Sequence, residues 1–199
     1  MPEANDHLSD EQLMRRIQSR DAVAFRELYR RYQRRLGNYF WRMTGGDAPA
    51  AQDLLQELFI KIVEKPGRYD SARSFKTWVF SVAYNQCKNY YRHRQSRGRI
   101  DHDPDPDRFA VDPTDDAHEI ERRTDHSLFL NALYGELHTM DEVQKSAFLL
   151  RFQQQFSIKE ISAIQGCSEG TVKSRLFYTA KRLAEKLGAF NPHVSEDSK

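Results

Sequence analysis

The sequence predicts an all-α protein: two helical domains joined by a flexible acidic linker. Three observations carry this expectation. Apolar residues recur at spacings of three and four through most of the chain. Sustained period-two alternation is absent, and no Asn-Gly or Asp-Gly turn joins two apolar runs. Between them lies an abrupt stretch of aspartates and prolines with few apolar residues.

Each helix has a start or stop signal of its own. Ser9 or Asp10 caps a helix holding Leu13, Met14 and Ile17. Asp21 precedes a longer one with Phe25, Leu28, Tyr29, Tyr32, Leu36 and Phe40 on one stripe. "TGGDAPA" interrupts the pattern, and "AAQDLLQELFIKIVEK" resumes it with Leu54, Leu55, Leu58, Phe59 and Ile62. Pro66 and Gly67 stop that helix and open a loop, "PGRYDSAR". Ser74 then caps a long helix running to about Arg97.

From there to about Glu121 the chain carries Asp101, Asp103, Asp105, Asp107, Asp112, Asp115, Asp116, Glu119 and three Asp-Pro steps. Such a segment buries too little surface to offset its chain entropy, so it reads as a tether. Helical periodicity returns at about Thr124 with Leu128, Leu130, Leu133 and Leu137, then Phe148, Leu149 and Phe152. The last residues, "AFNPHVSEDSK", read as a frayed tail.

Composition narrows the function. The chain has 199 residues, 12% of them aromatic and 30% charged, with a net charge of +2. Cys87 and Cys167 stand far apart without a CxxC pair, which fits a reducing cytosol and no disulfide framework. The N-terminus lacks the apolar segment of a secretory signal, and no run approaches a membrane span, so the expected location is cytoplasmic. A P-loop, a GxSxG and an HExxH are all absent, and the seven histidines are scattered. No enzyme activity, metal site, cofactor or small-molecule substrate is expected.

Two stretches carry recognition chemistry. In "SIKEISAIQGCSEGTVKSRLFYTAKRL", Ser157 caps one helix, "GCS" turns the chain, and Ser168 caps the next. Projected at about 100° per residue, Val172, Leu176, Ala180, Leu183 and Leu187 share a stripe on the second helix. Lys173, Ser174, Phe177, Tyr178 and Lys181 lie opposite. Exposed adjacent aromatics among cations suit a helix that enters a DNA major groove. On the helix after Ser74, Phe75, Trp78, Val79, Val82 and Gln86 lie to one side. Phe80, Tyr84 and Tyr91 lie to the other, with Lys76 and Lys88 flanking and Asn85 and Arg92 at the rim. Aromatics interleaved with cations suit unpaired bases, and they equally suit packing against another helix.

Asp53 to Arg94 resembles region 2 of bacterial sigma factors of the extracytoplasmic-function (ECF) group of the sigma-70 family. Phe156 to Leu183 resembles region 4 of the same group, in the same order and with no region 3 domain between. The resemblance implies region 2 over 8–97, for core polymerase binding, −10 recognition and melting. It implies the acidic linker over 98–124, a region 4 helix-turn-helix for the −35 element over 125–188, and a tail over 189–199.

It further implies a factor that binds core RNA polymerase and promoter DNA to initiate a stress or envelope-signal regulon. Asp53, Gln56 and Glu57 match positions that dock on the β′ clamp helices, and region 4 would meet the β flap. Arg68, Tyr69, Asp70 and Ser71 match the loop that receives a base flipped from the −10 element, and Asn85 matches a residue that contacts that base. Lys76, Lys88, Tyr91 and Arg92 would face the non-template strand or its phosphates. Thr171, Ser174, Phe177 and Tyr178 would face the −35 element, with Lys173, Arg175 and Lys181 beside its phosphates. Tyr178 stands where some members have Arg, which departs from a standard −35 contact. A cognate anti-sigma factor is the expected inhibitor, and the linker is expected to pass through polymerase channels.

The alternative is a stand-alone helix-turn-helix regulator, which would bind duplex DNA tightly without polymerase. Either reading makes binding depend on released counterions. Titrating salt in a promoter-binding assay is expected to weaken affinity steeply, and a flat salt response would contradict a phosphate-neutralising interface.

Overall fold

The computed structural model describes residues 7–71, 73–96 and 120–188, with side chains from Leu128 onward in the last stretch. Residues 97–119, which hold most of the acidic segment, and the tail from 189 lie outside the described residues.

Eight helices are described: α1 (Asp10–Gln18), α2 (Ala22–Met43), α3 (Ala48–Glu64) and α4 (Phe75–Ser96), then α5 (Ile120–His138), α6 (Glu142–Phe148), α7 (Ile158–Gln165) and α8 (Glu169–Lys186). A single 3-10 turn at Pro66–Arg68 precedes α4, and a π-helical turn at Leu149–Gln153 follows α6. Helix α5 begins inside the segment expected to be linker.

The caps fall where the sequence places them. Ser9 and Gln12 form a reciprocal capping box on α1, and Ser157 and Glu160 form another on α7. Asp21 accepts from the amides of Val23 and Ala24. Gly166 ends α7 in the left-handed region at φ 62°, where a side chain is strained, and Ser168 caps α8 two residues later.

In the amino-terminal unit, α1 and α3 pack on α2, and α4 closes the layer. Leu13, Met14, Leu28, Leu36, Phe40, Leu58, Phe75 and Val79 are fully enclosed. Glu27 is buried on the same α2 and is held ionised by two arginines: Arg30 Nε lies 2.8 Å and Arg31 Nε 2.6 Å from its carboxylate. Arg31 also reaches Asp10 at 2.9 Å, which ties α1 to α2.

The second unit does not stand apart. Its α6–α7 corner packs on α2 and α4, and one continuous core runs through both units. Phe80 of α4 meets Phe156 edge-to-face at 5.1 Å, and both are fully buried. Tyr39 hydrogen-bonds Ser146 at 2.9 Å, and Arg35 Nε donates to Gln154 Oε1 at 3.1 Å. Arg42 lies over the Tyr134 ring at 3.3 Å. The two domains, expected to be joined by an acidic linker, therefore also meet directly through this shared core. Phe80 lies between Tyr39 of α2, 5.6 Å away, and Phe156, so the second unit completes its burial.

These contacts set a scale. Phe156→Ala is expected to reduce stability in denaturant titrations by about 3–5 kcal/mol, the range for emptying a core aromatic site. The neighbouring Ser157→Ala, which removes only the cap, should cost about 1 kcal/mol. Equal effects would contradict the placement of Phe156 in a shared core.

Candidate nucleic-acid interface

Helix α8 offers one recognition surface. Val172, Thr179 and Leu183 are buried and Leu176 half-buried, so the inner stripe is set by packing on α6 and α7. Thr179, not Ala180, holds the third inner position; Ala180 is exposed. Lys173, Ser174, Phe177, Tyr178 and Lys181 all face solvent. Phe177 and Tyr178 are 63% and 61% exposed, with rings 5.4 Å apart in a T-shaped pair. So much exposed aromatic surface on a cationic helix is a binding face in want of a partner. Thr171 is half-buried and its hydroxyl lies 2.9 Å from Ser168 Oγ, at the cap. Arg175 differs from its expected phosphate-facing role. Its guanidinium turns inward to Gln165 Oε1 at 2.7 Å and to Cys167 Sγ at 3.4 Å.

The loop before α4 and the α4 helix form the second surface. Arg68, Asp70 and Ser71 are exposed, and the Arg73 side chain lies 3.7 Å from Asp70. Tyr69 is not an open pocket wall. It is 3% exposed, its ring packs 5.5 Å from Phe75 and 5.2 Å from Trp78, and its hydroxyl donates to the Arg73 carbonyl. Burial, then the Glu11 carboxylate, pushes its hydroxyl up to about 12. Tyr69 anchors the loop so that its neighbours project. Helix α1 braces the same loop: Gln18 Nε2 donates to the Pro66 carbonyl at 3.2 Å, and Glu11 accepts from the Phe75 amide at 3.1 Å.

On α4, Asn85, Lys88 and Arg92 are exposed at spacings of three and four, so they share one stripe. Lys88 Nζ lies 5.7 Å from the centre of the Tyr84 ring. The rest of the expected strand-facing set is covered. Tyr84 is 3% exposed, and Lys76 Nζ sits 4.4 Å over the Phe156 ring, where burial and then Arg35 lower its pKa. The Tyr91 hydroxyl donates to the Met43 carbonyl and accepts from Lys145 Nζ at 3.0 Å. In this arrangement Lys76 and Tyr91 meet the α6–α7 corner instead of an open strand path.

Asp53, Gln56 and Glu57 are exposed on α3, and Glu57 pairs with Lys61 at 2.7 Å. Beside them lies an apolar groove of about 680 Å³ lined by Phe25, Tyr29, Leu55, Phe59, Ile60 and Val63 among others. Sequence reasoning did not single out Ile60 and Val63 as surface residues. Both are apolar, three apart and off the stripe of Leu55, Leu58, Phe59 and Ile62, and that misplacement is the signal that marks them.

With this geometry in place, the sequence matches the Sigma-70 region 2 family over residues 28–97 and the Sigma-70 region 4 family over 130–183. It is 30% identical over 186 residues to the RNA polymerase sigma-H factor of Pseudomonas aeruginosa, covering 89% of this chain and 93% of that one. It is 29% identical over 191 residues to the ECF RNA polymerase sigma-E factor of Haemophilus influenzae, covering 92% of this chain and 97% of that one. In fold it resembles the Bartonella quintana sigma factor RpoE solved with the anti-sigma factor NepR: TM-score 0.66 and 24% identity, over 82% of this chain and 96% of that one.

The chain therefore belongs to the sigma-70 family of RNA polymerase sigma factors. Within it, the chain is a sigma factor of the ECF group, a class of transcription initiation factors rather than enzymes. Among the described residues no helix is long and apolar enough to cross a membrane.

The junction of the two units titrates. His138 is held down to about 4 by burial, then by the Lys145 and Arg94 cations. Lys145 is lowered to about 8, chiefly by burial, with Arg94 acting in the same direction; Cys87, Glu142 and Asp141 oppose it. Folded values below the ordinary ones mean that packing releases protons. The His138 contribution is fully present above pH 6.5, its ordinary value, and is lost as pH falls toward 4. Stability measured between those limits should fall with acidification, and His138→Gln should flatten the slope. An unchanged slope would contradict this assignment.

Proposed function

We propose that the two recognition surfaces read two parts of a promoter, and that the α3 groove holds the polymerase. The observation that carries this reading is their coexistence on one chain. An exposed aromatic–cationic recognition helix accompanies a second exposed amide–cation stripe beside a braced loop.

On this reading the Ile60–Val63 groove, flanked by Asp53, Gln56 and Glu57, docks on the β′ clamp helices. Apolar ridges fill the groove while arginines meet the carboxylates. Region 4 meets the β flap. Asn85 and the loop residues Arg68, Asp70 and Ser71 receive a base flipped from the −10 element. Lys88 and Arg92, with Lys76 and Tyr91 once uncovered, follow the non-template strand. Capturing unpaired bases favours the melted state by the difference in affinity between the two states, so opening requires no nucleotide hydrolysis. Ser174, Phe177 and Tyr178 face the −35 element, with Lys173 and Lys181 on its phosphates. Tyr178 cannot make the bidentate guanine contact of an arginine, so it favours a thymine methyl or a stacked contact. The regulated genes answer stress or envelope signals, and an anti-sigma factor holds the protein inactive. The similar RpoE chain, solved with NepR, supports such a partner. A stand-alone regulator would leave the α3 groove and the α4 stripe without use.

Transcription with core polymerase on a genomic promoter library, with permanganate footprinting of melted thymines, tests the reading. Core-dependent initiation is expected, and its absence on every promoter would refute it. Asn85→Ala should reduce melting about tenfold, the scale of one lost base contact of about 1.4 kcal/mol, with core binding intact. Ile60→Glu should instead abolish core binding, and melting with it. The same phenotype from both would contradict the division of labour.

A further inference from the structure

We infer that the path of the captured DNA strand continues past the loop before α4 onto α1, where Arg15 and Arg20, joined by Arg68 of the loop, seat the phosphates next to the flipped base. The inference rests on the reading of that loop as a base receiver. It adds the side of the loop that the α4 stripe does not serve.

The Asn85–Lys88–Arg92 stripe begins about three turns into α4 and runs toward its carboxy-terminal end. Helix α1 meets the opposite end: Gln18 donates to the Pro66 carbonyl, and Glu11 accepts from the amide of Phe75, the first residue of α4. Glu11, Arg15 and Gln18 are four and three residues apart, so they share one stripe of α1. Arg15 therefore sits between the two contacts that brace the loop. It is exposed, and its charge opposes the rise in the pKa of the Tyr69 hydroxyl, which burial chiefly causes. Arg20, two residues beyond Gln18, is exposed in left-handed backbone at φ 63°. Arg68 is exposed on the loop itself.

The carboxylates around these arginines are engaged elsewhere. Asp10 accepts from Arg31 and Tyr32, and Glu11 from the Phe75 amide. Asp21 accepts from the Val23 and Ala24 amides, and Asp70 lies 3.7 Å from Arg73. Among the described residues no ion pair joins Arg15, Arg20 or Arg68 to a carboxylate. Beside Arg15 lies a groove of about 460 Å³, lined by Gln12, Arg16 and Ser19 among others. Uncompensated guanidinium groups on a braced helix suit a polyanion, and their forked donors match phosphate oxygens. A strand that inserts one base into the loop must lay its neighbouring phosphates beside it. That continuity favours DNA over an acidic protein partner.

The test uses holoenzyme assembled from core polymerase and the full chain, on a promoter recovered by the library transcription above. Two forked fragments of that promoter serve as probes. In the short fork the single strand ends at the captured base; in the long fork it continues about six nucleotides further, within the usual range of strand-binding sites. Arg15→Gln with Arg20→Gly should weaken binding of the long fork about tenfold at about 0.15 M salt, and should flatten the slope of log affinity against log salt by about 1.4, as two lost phosphate contacts require. Binding of the short fork and of core polymerase should not change. The thermal midpoint should hold as well, since glycine suits the backbone at residue 20.

A double variant that binds the long fork as tightly as the parent would overturn the inference. So would equal losses on both forks, which would assign the arginines to a contact other than the extended strand, with weakened core binding marking that contact as protein. The loop reading fails separately, if Asn85→Ala binds the short fork as the parent does.

Discussion

Everything in this structure turns on what covers the outer face of α4. Phe80 lies between Tyr39 of α2, 5.6 Å away, and the second unit, and it and Tyr84 must be buried against something. Here the cover is Phe156 and the α6–α7 corner. That contact merges the hydrophobic cores of two units, and beside it Lys145 is buried against the Tyr91 hydroxyl. On the proposed reading, the side chains of α4 that would meet a DNA strand and those that pack on the second unit are partly the same. Aromatic faces and lysines that suit unpaired bases also suit another protein's aromatic edge.

Much of the fold was legible because it rests on local rules. The caps at Ser9, Asp21, Ser157 and Ser168, the turn at Gly166 and the inner stripes of α2 and α3 follow from spacing and capping chemistry alone. The recognition helix was also legible in outline, since its polar face carried aromatics that had no reason to be there. What escaped depends on tertiary partners. Nothing local distinguishes an aromatic awaiting DNA from one awaiting Phe156, so Lys76 and Tyr91 read as open. Tyr69 reads as a pocket wall because its loop is polar, yet Phe75 and Trp78 bury it. Arg175 reads as a phosphate contact until Gln165 takes its guanidinium. The displacement of Ala180 by Thr179 is a smaller miss: one position of rotation, beyond what an ideal helical projection resolves.

The electrostatics follow the same division. Lys173 and Lys181 on α8, and Lys88 and Arg92 on the α4 stripe, are exposed. Cations at the junction are buried at a cost, and their proton affinities drop with it: Lys145 and His138 both titrate below their ordinary values. The exposed apolar pair Ile60 and Val63 lines the α3 groove that the proposed reading assigns to polymerase. On the proposed reading the chain carries one surface for a protein partner and two for DNA, and the α4 one is part covered: Asn85, Lys88 and Arg92 stay exposed while Lys76 and Tyr91 are packed.

Lysine-labelling kinetics followed by mass spectrometry test that account most directly, because Lys145, Lys76 and Lys88 report on three surfaces at once. In the free chain, Lys88 should label fast, and Lys76 and Lys145 slowly. In the holoenzyme without DNA, all three should label fast as the units part. Adding a promoter should protect Lys76 and Lys88 again while Lys145 stays reactive. A Lys145 that remains protected in the holoenzyme, or a Lys76 that promoter DNA leaves unprotected, would contradict the account.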